Sequence, residues 1–191
     1  MYRPSIEDLM DNMGIALREN REQTAESLLQ HPELFSELIK FVFKTDYKLH
    51  YKAAWTLEIV LEKDLKRILP YIDYFTENLH RLQHESAIRP IAKIGKWIAL
   101  ATAKKQDMDF VESLSMRNIE QLVETNFDWL IGDFKVAPQV YAMDTLYYFG
   151  LLDTHRYKWI HKELKSVLLQ NIQTKSPAYK AHAKMTLALL T

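Results

Sequence analysis

The residues whose types and spacing could do chemistry are few. Glu77, His80 and His84 stand three and four apart. On one helix that spacing points a carboxylate and two imidazoles to a common side, as a zinc site requires. The helix that carries them should end near Gln83, and no further ligand is evident, so they read as solvated turn residues and no metal or cofactor is expected. Asp144 is the odd residue. It lies in VYAMDTLYYF, flanked by Tyr141, Tyr147 and Tyr148. An acid in so apolar a run needs a partner. It is expected to bond a neighbouring helix, or else to be a polar group in an aromatic-lined groove. Trp55, Trp97, Trp129 and Trp159 are core residues or wedges between helices, and any that is exposed is an interaction anchor. His50 and His182 fit packing or surface roles better than catalysis.

Familiar catalytic patterns are missing. HExxH, GxSxG, GxGxxG and a glycine-rich phosphate loop do not occur. There is no cysteine, so thiolate zinc sites, disulfides and cysteine nucleophiles are excluded. Lys and Arg number 25, as do Asp and Glu. A zero balance disfavours nucleic acid as the partner, because phosphate contacts draw on a basic surplus. Residues 1–45 carry 5 basic and 8 acidic groups, net −3, and residues 133–191 carry 8 and 4, net +4. No apolar run reaches the ~18 residues of a membrane span. MYRPSIEDLM holds no apolar signal core, so a cytoplasmic protein without membrane contact is expected.

The elements that must position these residues are helical. Only 4 Gly and 6 Pro occur in 191 residues, and Leu, Ile, Ala, Lys and Glu abound. Ser5-x-x-Asp8 is a capping box for a helix near 6–13, and Ala16–Gln30 is a polar helix. His31-Pro32-Glu33 opens the next, with Leu34, Leu38, Phe41 and Val42 as its stripe. Asp46 is the expected N-cap of the Trp55 helix. Ile68, Ile72, Phe75, Leu79 and Leu82 step by four and three. Ser86–Ala103 follows, with Gly95 inside it for close helix approach. Residues 104–115 form an irregular excursion. Met116–Ile131 ends at Gly132, expected in left-handed geometry. Helices then run from Asp133 to Gly150, from His155 to Ile172, and from Ser176-Pro177 to Thr191, with a break at Asp153-Thr154.

A pattern recurs on alternate helices. Ala53, Ala92, Ala142 and Ala183 superpose at separations of 39, 50 and 41 residues. Three positions before them stand His50, Arg89, Gln139 and Lys180, and four after stand Leu57, Lys96, Leu146 and Leu187, so the second departs from the pattern. The hairpins would be 32–62, 65–103, 116–151 and 155–190. In period and in this polar-small-leucine pattern, the chain over about 32–190 resembles the HEAT and armadillo-like helical repeats. The resemblance implies an all-α fold, a right-handed superhelix of about four hairpins. It would be one α-solenoid domain over 1–191, with 1–31 as an N-terminal cap.

In such repeats the second helices line a concave face. The resemblance therefore implies a non-enzymatic scaffold that binds a protein or peptide there. The candidate binding residues are His50, Trp55, Arg89, Gln139, Tyr141, Asp144 and Lys180. The other possibility is a DNA-binding protein similar to the HEAT-like alkylpurine-DNA glycosylases, which use concave aromatics and an Asp. Trp55 and Asp144 are the residue types needed, but no family motif surrounds either. The serine-rich catalytic loop of the adenylosuccinate lyases is absent.

Overall fold

The computed structural model describes residues 5–15, 17–152 and 155–190. The helix start at Ala16, the break at Asp153-Thr154 and the helix end at Thr191 lie outside them. Among the described residues the fold is all-α: eleven α-helices, about 80% of the chain, and no strand. It divides into two compact units, Met1–Ile91 and Ala92–Thr191.

The first unit holds α1 (Ile6–Asn12), α2 (Arg18–Gln30), α3 (Phe35–Val42), α4 (His50–Lys63), α5 (Ile72–Asn78) and the start of α6 (Glu85–Ala99). The Ser5 capping box forms in full: Ser5 Oγ accepts from the Asp8 N–H and the Asp8 carboxylate accepts from the Ser5 N–H. Pro32 opens a 3-10 turn (Pro32–Leu34) that runs into α3. The stepped residues Ile68, Ile72, Phe75, Leu79 and Leu82 are all buried. They are carried by α5 and the two 3-10 stretches that flank it, Leu65–Tyr71 and Leu79–Arg81, with Leu82 just beyond, rather than by one long helix. Pro70, which donates no hydrogen bond, lies in the first stretch. Asp46 does not cap α4. Turns through 45–49 delay that helix until His50, and its N-cap is Leu49. Helices α2 and α3 both pack on α4. Lys52, almost fully buried on α4, fastens α1 by donating from Nζ to the Met10 carbonyl at 2.9 Å.

The second unit holds the rest of α6, a π-turn at Leu100–Lys104, α7 (Met108–Ser113), α8 (Met116–Ile131), α9 (Val136–Gly150), α10 (Lys158–Asn171) and α11 (Pro177–Leu189). The stretch expected to be irregular, 104–115, is therefore largely ordered. Asp107 caps α7, and Ser115 with Asn118 forms a second capping box that opens α8. Helix α9 is the hub, with α8, α10 and α11 packed on it. Gly132 is extended, with φ −68° and ψ 172°, not left-handed. Glycine serves there for a close approach: a Cβ would stand 2.6 Å from the Phe134 ring and 2.9 Å from the Asp128 carbonyl oxygen. Gly95 tolerates more than expected. A Cβ there would meet Leu122 at 3.6 Å and Thr145 at 3.9 Å, ordinary contact distances. On α11, Met185 and Leu189 stand one turn apart and are exposed.

No helix among the described residues is long and apolar enough to cross a membrane.

Candidate binding groove

In the first unit a groove of about 850 Å³ opens between the start of α4 and the chain entering α6. Its wall is aromatic. The Tyr51 ring stacks on His84 with centroids 4.9 Å apart and planes at 10°. Trp55, one turn further along α4, meets Tyr51 edge-on at 4.9 Å. His50 meets His84 edge-on at 5.8 Å. Lys48 and Arg81 also line the groove, and no described carboxylate does.

The wall is built by a backbone defect. Pro90 lies inside α6 and has no N–H, so it cannot bond the carbonyl four residues back, that of Ser86. Trp55 Nε1–H donates to that carbonyl at 2.9 Å. On its other partner side, Trp55 carries the Arg21 guanidinium of α2 at 5.3 Å from the ring centroid. His84 stands just before α6, and its Nδ1 accepts from the Ser86 N–H at 3.2 Å. The His84 ring is thereby fixed as a platform for Tyr51.

His50 lines the groove but is itself buried, and its Nδ1 lies 2.9 Å from the Val42 carbonyl at the end of α3. Burial lowers its pKa. The Val42 bond opposes this, and the nearby His84 adds to the lowering. Arg81 also borders a second recess of about 480 Å³, lined by Ile6, Phe41, Phe43 and Tyr74 together with Lys40 and Glu37. At its rim Lys44 lies 5.1 Å from the Tyr47 ring centroid. The Tyr47 hydroxyl donates to Asp11 and is pushed up to about 12, chiefly by desolvation and then by the charges of Asp11 and Glu7.

Of the four residues three positions before the superposed alanines, His50 and Gln139 are buried and Arg89 and Lys180 are partly exposed. Gln139 is buried like His50 and does the same work in the second unit: its Nε2 donates to Leu130 O at 3.2 Å and Gly132 O at 3.0 Å, closing the end of α8. In both residues one nitrogen is engaged by the carbonyls that end a helix. Arg89 is partly exposed and pairs with Glu58 of α4 at 3.5 Å. Lys180 is partly exposed on α11.

Asp144 has the partner its surroundings demand, and two donors share it. Lys96 Nζ lies 2.7 Å from one oxygen and His182 Nε2 lies 2.8 Å from the other. Burial raises the carboxyl pKa, but the bonds to His182 and Lys96 outweigh that and leave it lowered. Lys96 also lies 5.7 Å from the Tyr141 ring centroid. Three helices, α6, α9 and α11, are thus tied by one ion cluster. The departure of Lys96 from the leucine pattern is what supplies it. The carboxylate is committed to structure, not free within an aromatic pocket.

Of the four tryptophans, Trp129 is buried, Trp97 lies under Lys93 and Trp159 is exposed, stacked on Phe127 at 5.7 Å. Glu77, His80 and His84 do not share a helix, since α5 ends at Asn78 and the chain is extended at Leu82. Among the described residues no three His, Asp or Glu side chains form a group able to hold a metal ion.

No protein-family model matches this chain, nor does any curated protein or solved structure.

Proposed function

We propose that the protein is a non-enzymatic binding module, built from short HEAT-like hairpins, that takes an extended segment of a partner protein in the groove of its first unit. The observation that carries this reading is the groove itself. Its volume is that of a ligand cleft, its wall is a rigid set of aromatic rings, and its rim is charged.

A further regularity supports the hairpin repeat. Three positions after the superposed alanines stand Thr56, Gly95, Thr145 and Thr186. The three threonines are buried and each returns its hydroxyl to the carbonyl four residues back. The non-enzymatic reading draws on how the polar side chains are used. His50, Trp55, Gln139 and Asp144 all spend polar atoms on helix ends or neighbouring helices.

The test is affinity capture from the cell extract, comparing the native chain with a Lys48→Glu, Tyr51→Ala variant. A partner retained by the native chain and lost by a variant that melts within a few degrees of it supports the reading. Retention by both would place binding elsewhere.

A further inference from the structure

We infer that the segment held in this groove is acidic and carries an aromatic side chain, its ring against Tyr51 and Trp55 and its carboxylates on Lys48 and Arg81. This rests on the binding-module reading and goes further by fixing the chemistry of the partner. Three features argue for it.

The first is charge. Lys48 and Arg81 line the groove and no described carboxylate does, although the whole chain is neutral. An anionic ligand therefore meets two cations on the lining itself; Asp46, which acts on His50, and Asp11, bonded to the Tyr47 hydroxyl, are near but not part of that lining. Arg81 is already oriented, since its Nη1 donates to Asn78 Oδ1 at 2.9 Å, so less freedom is lost when it binds.

The second is the wall. Tyr51, stacked on His84 and edge-on to Trp55, is a pre-ordered aromatic surface. A flexible aliphatic segment gains less from such a surface than a planar side chain does.

The third separates a peptide from a nucleic acid, which also joins rings to anions. Single strands are bound along a continuous cationic track. Here the track is broken. Beyond Arg81 the neighbouring recess is lined by Lys40 and Lys44 but also by Glu7, Glu37 and Asp46. A phosphate backbone would run into those acids, whereas a peptide whose acidic part stops at the groove would not.

The experiment is fluorescence anisotropy on the full chain with three dye-labelled probes. One is a ten-residue peptide of Glu and Asp with two central tyrosines, the second is the same peptide with lysine for each acid, and the third is a thymidine 20-mer. The acidic peptide should bind at least tenfold more tightly than either of the others, about 1.4 kcal/mol. Lys48→Glu and Arg81→Glu should each weaken it at least fivefold at an unchanged melting temperature. Equal binding of the lysine peptide, or tighter binding of the oligonucleotide, overturns the inference. So does no binding of the acidic peptide by a chain that captures a groove-dependent protein partner, an outcome that leaves the binding-module reading standing.

Discussion

Trp55 completes the hydrogen bond that Pro90 cannot make. The indole N–H of α4 lies 2.9 Å from the Ser86 carbonyl, the one left unpaired four residues before the proline in α6. This fixes the ring against the groove wall. Trp55→Phe keeps a ring but strands the carbonyl, and should cost roughly 1–3 kcal/mol in urea unfolding. In a Pro90→Ala background the helix supplies its own N–H, so the same substitution should cost measurably less. A double-mutant cycle with zero coupling would show that the two residues act independently.

His50 and Gln139 should be interchangeable in kind. His50→Ala leaves the Val42 carbonyl of α3 without its side-chain donor and should destabilise by roughly 1–3 kcal/mol, while His50→Gln should recover part of that loss. The pH dependence separates the two. The folded pKa of His50 lies below its ordinary 6.5 because burial disfavours the cation. Its contribution is therefore complete above pH 6.5 and is lost as pH falls through the folded value. Unfolding midpoints of the native chain should fall between pH 7 and pH 5, and those of His50→Gln should fall less. Parallel profiles would refute the assignment.

Asp144 gives a second, more acidic limb. Its pKa is lowered from 3.8, so its contribution is present above that value and lost as pH falls through the folded one. Asp144→Asn should cost roughly 1–3 kcal/mol at pH 7 and progressively less below pH 3.8. A cost that does not change with pH would mean that the ion cluster with Lys96 and His182 contributes nothing through its charge.

The two glycines at ordinary and close approach should respond with opposite sign. Gly95→Ala adds a Cβ at ordinary contact distances within a helix, and should stabilise by about 0.5–1 kcal/mol. Gly150→Ala would place a Cβ 2.0 Å from the His161 ring, which stacks on Tyr147 and bonds its carbonyl at 2.8 Å. It should destabilise clearly. Thermal unfolding of the pair decides it.

Ala92 is fully buried. Ala92→Trp should lower the melting temperature severely, because a packed helix interface cannot accept the ring. An unchanged midpoint would place Ala92 at a surface.

Much of the fold was legible because helix signals are local. The Ser5 box, Pro32, Ser176-Pro177 and the buried steps from Ile68 to Leu82 need only neighbours in sequence. The errors lie at helix ends, where several local conformations compete. Gly132 is extended rather than left-handed, and glycine is needed there because a Cβ would meet the Phe134 ring and the Asp128 carbonyl. Asp46 is displaced as a cap by turns that carry the chain to His50. The groove was only half visible. Trp55 and His50 stood out, but the stacking of Tyr51 on His84 joins residues 33 positions apart, and no spacing rule connects them. One signal was present and missed. The threonine or glycine three places after each alanine repeats as regularly as the polar residue three places before. Its meaning appears only once the threonines are seen to be buried.

The most direct test of a partner site in the first unit is site-specific photo-crosslinking in the native cell. A photoreactive side chain is placed at exposed Lys48, which lines the groove, and separately at Leu169, exposed on α10 of the second unit. The expected result is a discrete protein adduct from position 48 and none from position 169. Adducts from position 169 alone, or from neither, would contradict a binding site in the groove.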